Sequence, residues 1–256
     1  MSKIKIRDYD LFFNSMKALG KFTNSAKFSL NDIGLTVYAK NPVARGEFTT
    51  NAIYADEEVD FCLTDISMFL KVLSTVKEIH KDDFSDLDFQ INLPFIKFKS
   101  KKFDTKITTS DEAVVANFVS TKVTTELKPV LEFSTNSDSI KYVNSHSFIL
   151  PDLDMARIYL SVKPDMENNV MYATIGNNSN DLNNSITLKF GLVNFGNMDG
   201  RQIILNFDRL NLFNLIDSEN IGISLMDRNV LVYKNHIPGE NESYFDFTIY
   251  NSMLAS

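Results

Sequence analysis

Leu11, Phe12, Met16 and Leu19 recur at the three-and-four spacing of one helix face, while Asp10, Asn14, Lys17 and Lys21 fall on the other. The pattern predicts a helix over 8–20 that opens at Asp8 and stops at Gly20. An aspartate suits that start because it accepts from free N–H groups and opposes the positive end of the helix dipole. Ile66, Phe69, Leu70, Leu73 and Val76 repeat the period over 65–79, again behind an Asp, with Lys71, Ser74 and Glu78 outward and Lys77 on the flank. The second half yields helices over 152–163, ending at Pro164, and over 208–218. The first of these turns Arg157, Ser161 and Lys163 away from its apolar side, and the second turns Arg209 and Asn214. Alternating runs predict strands at 27–31, 35–39, 47–54, 87–91, 95–99 and 103–108, then at 170–175, 185–193, 202–205, 221–225, 229–234 and 244–250.

Both halves therefore share one order: a short strand, a helix, several strands, a helix, several strands. Three local matches support a duplication. Asp8-Tyr9-Asp10-Leu11 matches Asp152-Leu153-Asp154-Met155, Asp65 with Phe69-Leu70 and Leu73 matches Asp208 with Leu212-Phe213 and Ile216, and Phe103-Asp104 with Ile107 matches Phe245-Asp246 with Ile249. The offset drifts only from 144 to 142 residues. The fold class is α+β, with two duplicated domains, each packing two helices on antiparallel sheet. The domains run over 1–110 and 147–256. Residues 111–146 lack a helical period, contain Pro129 and end in a Ser/Asn-rich stretch, so they are expected to form an interdomain connector.

Composition narrows the function more than the fold. The net charge is −7, which argues against a protein that coats nucleic acid with an overall basic surface. The charge is uneven, with 16 Lys and Arg against 15 Asp and Glu in 1–110, and 10 against 18 in 111–256. No apolar run is long enough to cross a bilayer, and MSKIKIRDYD lacks the apolar core of a signal peptide, so a cytoplasmic location is expected, with no membrane partner. The single cysteine, Cys62, reads as a small buried hydrophobe. No glycine-rich phosphate loop and no G-x-S-x-G elbow occur, and His80, His146 and His236 stand far apart. Asp82-Asp83 and Glu57-Glu58 sit in polar turn-like clusters. No catalytic residue, metal ligand or cofactor is expected.

With that duplicated unit in view, the chain resembles DNA polymerase sliding clamps, in particular the PCNA-like clamps of tailed bacteriophages. AKFSLNDIGLTVYAKNP (26–42), DFCLTDISMFLKVLSTVKE (60–78) and RQIILNFDRLNLFNLI (201–216) carry the likeness. The resemblance implies a ring, with helices lining the hole and sheets outside, most simply a homotrimer encircling double-stranded DNA without sequence preference. It implies a processivity factor whose partners are a DNA polymerase and a clamp loader. Lys17, Lys21, Lys71, Lys77, Arg157, Lys163 and Arg209 become candidates to face the phosphates. Val114, Val115, Phe118 and Val119, with Tyr250, Met253 and Leu254, become candidates for a partner-peptide pocket. Two other readings use the same sequence: a monomeric clamp-like DNA-binding factor, and a virion structural protein.

Overall fold

The computed structural model describes residues 2–81, 83–115, 127–146, 157–165, 168–176, 185–196, 198 and 202–252. The chain forms two compact units, Met1–Lys122 with His236–Thr248, and Val123–Asn235 with Ile249–Ser256. The first unit contains β1 (Ser2–Ile6), α1 (Tyr9–Phe22), β2 (Ala26–Leu30), β3 (Leu35–Lys40), β4 (Ala44–Thr50), β5 (Ile53–Ala55), β6 (Val59–Leu63), α2 (Ile66–His80), β7 (Asp88–Asn92), β8 (Phe95–Lys99), β9 (Asp104–Thr108) and α3 (Glu112–Val115). The second contains β10 (Pro129–Thr135), α4 (Ser137–Ser145), β11 (Arg157–Asp165), β12 (Asn168–Gly176), β13 (Ile186–Gly196), β14 (Ile203–Leu205), α5 (Phe207–Asn211) with a 3-10 turn (Leu212–Asn214), and β15 (Ile221–Met226). Strands β16 (Val230–Pro238) and β17 (Tyr244–Ser252) each contribute residues to both units.

One topology is used twice. In the first unit the strands run β5-β1-β7-β8-β9 in one sheet, and β4-β3-β2-β6 in another, where β4 also has β17 beside it. In the second unit the order is β14-β11-β12-β13-β10-β15-β16. Strand β13 alone takes the places of β4 and β5. It pairs with β12 over its first part and with β10 from Leu192 to Gly196. At the changeover a Cβ on Gly191 would clash with the Ser134 carbonyl oxygen, so only glycine lets the two backbones approach.

In the first unit most local signals and the structure agree, except that the strand expected over 47–54 breaks at Asn51 and Ala52 into β4 and β5 of different sheets. Asp8 Oδ1 accepts from the Leu11 N–H at 2.9 Å, and Asp65 Oδ1 accepts from the Met68 N–H at 2.9 Å. The apolar stripes of α1 and α2 converge on the sheet, where Phe12 lies 6.4 Å from both Phe69 and Phe89, and Phe89 stacks on Phe98 at 4.3 Å. The Tyr9 hydroxyl donates to the Leu73 carbonyl at 2.6 Å, which ties the two helices together. Helix α1 runs two residues past Gly20, whose missing side chain leaves room for Leu70.

The second unit departs from expectation in its first half. The helix expected over 152–163 is absent where the chain is described, since 157–165 form β11, paired residue by residue with β12. Ile158, Tyr159 and Leu160 are all buried, so the strand lacks the clean alternation that would have marked it. Pro164 lies within the strand instead of ending a helix. The helix sits earlier, at α4, inside the stretch expected to be connector. Asn136 caps it by accepting from the Ser139 N–H at 2.8 Å, and only Ile140 and Val143 anchor it as large apolar groups. Pro129 is the first residue of β10, a position that tolerates the lost N–H. The helix expected over 208–218 is one short turn with a 3-10 extension, capped by Asn206 and not by Asp208. In chain order α4 is the counterpart of α1, and Asp152 of the Asp8–Asp152 match lies outside the described residues.

Two predictions come from this architecture. Asp8 Oδ2 also accepts from the Glu240 N–H at 2.9 Å and the Ser243 hydroxyl at 2.7 Å, fastening the β16–β17 turn within the first unit. Burial opposes its ionisation, yet hydrogen bonds from Leu11, Ser243, Glu240 and Asp10 hold the carboxyl below its ordinary value. A carboxyl depressed on folding stabilises above its unfolded pKa, and that contribution fades as the pH falls through the folded value. Asp8→Ala is expected to cost about 1–2 kcal/mol at neutral pH in urea titration, with the deficit shrinking below about pH 4. In hydrogen exchange, the α5 amides are expected to exchange faster than those of α2, because a five-residue helix holds few internal bonds.

Candidate nucleic-acid interface

Helices α1 and α2 bury one face each, so the opposite faces are left to solvent together. Asp10, Asn14, Lys17 and Lys21 are exposed on α1, and Ser67, Lys71, Ser74, Thr75 and Glu78 on α2. Lys17 and Lys21 are one turn apart on a single stripe. The Lys17 ammonium sits 4.4 Å from the Phe13 ring centre. Neither Lys17 nor Lys71 meets a carboxylate within ion-pair distance among the described residues. Lys77 differs, since it is half-buried and bonded to Asp10 at 2.6 Å. That pair joins two opposite charges and leaves Lys17, Lys21 and Lys71 on the face against Glu78, so cations outnumber acids there.

The second unit presents a different helix surface. On α4, Asp138, Lys141, Tyr142 and Ser145 are exposed, and Lys141 pairs with Asp217 at 2.8 Å. On α5, Asp208 and Asn211 are exposed, and Asn211 accepts from Asn144 at 2.8 Å. Arg209 is 9% exposed, in the core beside buried Tyr233, and burial pulls its guanidinium down from its ordinary value. Arg157 and Lys163 lie on β11, not on a helix, and the Lys163 ammonium is 5.6 Å from the Tyr172 ring centre. The structure thus gathers the candidate cations of the first unit on one helical face and does not do so for those of the second. Lys141 escapes sequence reasoning because α4 does; the Asn136 cap with Ile140 and Val143 is the signal that could have found it.

The candidates for a peptide pocket are divided as well. On α3, Val114 is 71% exposed and Val115 only 2%, so the pair points to opposite sides. Tyr250 is half-buried on β17. Phe118, Val119, Met253 and Leu254 lie outside the described residues. Next to α3, a recess of about 380 Å³ is lined by Phe61, Leu93, Pro94, Ser110 and Glu112, with Lys27 bonded to Glu112 at 2.8 Å across it. Cys62 lies at its floor, and burial pushes the thiol up from its ordinary value, away from a reactive thiolate.

Among the described residues, no group of three or more His, Cys, Asp or Glu is placed to hold a metal ion, and no helix is long and apolar enough to cross a membrane. Two strand edges stand out among the described residues. Strand β9 ends its sheet, and no strand lies beyond it among the described residues. In the second unit, the edge of Ile186–Lys189 facing away from β12 has no strand neighbour among the described residues, because β10 joins β13 only from Leu192 onward.

No family model matches the sequence, and no curated protein matches it. Solved structures do. A. fulgidus PCNA, in a structure with the C-terminal region of FEN-1 bound, superposes with a TM-score of 0.70 at 14% identity, covering 99% of both chains. Proliferating cell nuclear antigen from Entamoeba histolytica superposes with a TM-score of 0.66 at 14% identity, again over 99% of both chains. The chain has the PCNA clamp fold: two copies of an α+β unit, each with helices packed on antiparallel sheet.

Proposed function

We propose that the chain is a sliding-clamp subunit, a non-enzymatic processivity factor that encircles duplex DNA and tethers a polymerase. The observation that carries this reading is the end-to-end match to PCNA in a chain whose α1–α2 face is selectively cationic within a molecule of net charge −7. Phosphate attraction needs no sequence readout and weakens with salt. A ring holds DNA by topology, so three lysines per subunit are enough to centre it without the tight contacts that would resist sliding. The acidic remainder discourages nonspecific binding elsewhere.

Self-association has a physical basis in the open edges of β9 and β13. Both present unsatisfied backbone groups, and antiparallel pairing between one copy's β9 and another's β13 would satisfy them. A homotrimer places six units around the DNA. The two clamp domains, expected over 1–110 and 147–256, are then joined through the part of 111–146 before β10, since β10 and α4 belong to the second unit. The region around α3 and the chain's C-terminal end is the place to look for a partner peptide, since A. fulgidus PCNA has been solved with such a segment bound. Among the cations, Lys17, Lys21 and Lys71 carry the DNA contact, Lys77 supports them through Asp10, and Arg157, Lys163 and Arg209 contribute little.

Light scattering after size exclusion is expected to give three times the 29.1 kDa chain mass. On circular duplex DNA, Lys17→Ala/Lys21→Ala/Lys71→Ala should shorten retention and flatten its dependence on salt. Arg209→Met should lower the melting temperature and leave retention unchanged. A strict monomer whose DNA retention ignores the three lysines would sink the proposal.

A further inference from the structure

The outer face of the β5-β1-β7-β8-β9 sheet bears a second cationic surface, remote in sequence from the α1–α2 lysines. Alternation fixes which side chains stand on it. Ile4, Phe89, Ile91, Ile96, Phe98 and Ile107 are buried, so Lys3, Gln90, Lys97 and Lys106 project the other way. The register then aligns them: Lys3 is opposite Gln90, Gln90 opposite Lys97, and Lys97 opposite Lys106. Three ammonium groups and an amide form one row across four strands, about 14 Å long at the usual strand spacing.

Such a row is costly in the absence of a ligand. Like charges directly opposite on neighbouring strands repel, and none of Lys3, Lys97 and Lys106 has a carboxylate within ion-pair distance among the described residues. Two acids of this sheet stand in the adjacent row, where Asp88 and Asp104 are each opposite Lys99, and Asp88 accepts from the Gln90 amide at 2.5 Å. The Lys106 ammonium is instead held 4.7 Å from the Phe95 ring centre. Beside the row lies a recess of about 670 Å³, lined by Gln90, Asn92, Phe95, Lys97, Asp104 and Lys106. Its volume lies within the range of small-ligand sites.

We propose that this face binds the backbone of single-stranded nucleic acid, with phosphates along the Lys3–Lys97–Lys106 row and a base in the recess against Phe95. The mixture of groups selects the ligand. A run of peptide carboxylates only accepts hydrogen bonds and would use the ammonium groups alone. A nucleotide strand adds bases and sugars that both donate and accept, which matches the two-way amide of Asn92, and a π-face that matches an aromatic ring. A duplex hides its base faces and would leave the recess unused. Pairing along the edge of β9 uses backbone groups and leaves this face open, so the site is compatible with a ring without requiring one.

The test is fluorescence anisotropy with a labelled 20-mer of thymidylate over a salt series, using the full chain. Wild type is expected to bind with a log–log salt slope of about −2, from three phosphates at about −0.7 each. Lys3→Gln/Lys97→Gln/Lys106→Gln should weaken binding about tenfold or more at low salt. Its melting temperature should hold or rise, because the repulsion is removed. Binding that survives this variant overturns the inference, as does equal affinity for a blunt duplex, or a poly-glutamate peptide that binds as tightly as the oligonucleotide. The variant lacking Lys17, Lys21 and Lys71 separates the two surfaces. Oligonucleotide binding lost there and kept in the sheet variant defeats this inference and leaves the clamp reading standing. The reverse pattern in a chain that stays monomeric supports this inference and defeats the clamp reading.

Discussion

The burial of two helix faces on one aromatic layer is the constraint on which the first unit depends. Phe12 from α1 and Phe69 from α2 meet Phe89 and Phe98 of the sheet, and the Tyr9 hydroxyl reaches across to the backbone of α2 at Leu73. A buried aromatic side chain removes 150–250 Å² from water, so rotating either helix to expose one would cost several kcal/mol. The opposite face of each helix is thereby committed to solvent. Lys17, Lys21 and Lys71 are outward because these rings are inward.

Electrostatics then acts on a surface already placed. The Asp10–Lys77 pair removes one cation from the α1–α2 face, and its 2.6 Å contact spans the two helices. What remains is a modest positive face on a chain whose net charge is negative. Screening limits such attraction to about 8–10 Å at ordinary ionic strength, so the face acts on DNA only when something else keeps the DNA near. Encirclement, as proposed above, would supply that condition, which ties the weak face to the ring in one proposal.

The two units show how one topology accepts different cores. Beneath α2, the first unit packs phenylalanines. In the second unit, Tyr233, Asn235, Asn251 and Arg209 are buried, with Phe213 against the Tyr233 ring at 4.4 Å. Burying polar groups costs free energy unless they are matched. The helix surface there carries Asp138, Asp208 and Asp217 beside its paired Lys141. The duplicated fold has therefore kept its strand order and lost its symmetry of charge.

Much of the first unit was legible because its signals are local. An aspartate before an apolar stripe marks α1 and α2, and period-2 runs mark β7, β8 and β9, so Lys17, Lys21 and Lys71 could be placed from spacing alone. The entry into the second unit was not legible. Helix α4 offers two large apolar anchors in a polar stretch, and the triple burial at Ile158, Tyr159 and Leu160 hides the period of β11. The sequence by itself determined the fold class, the α1–α2 lysine face and the strands that close each unit, since these follow from neighbours three, four or two residues away. Only the tertiary structure decided that Lys77 is spent on Asp10, that Arg209 is buried, and that Lys3, Lys97 and Lys106 stand in one row. Those facts depend on register and packing between segments distant in the chain, which no local period encodes.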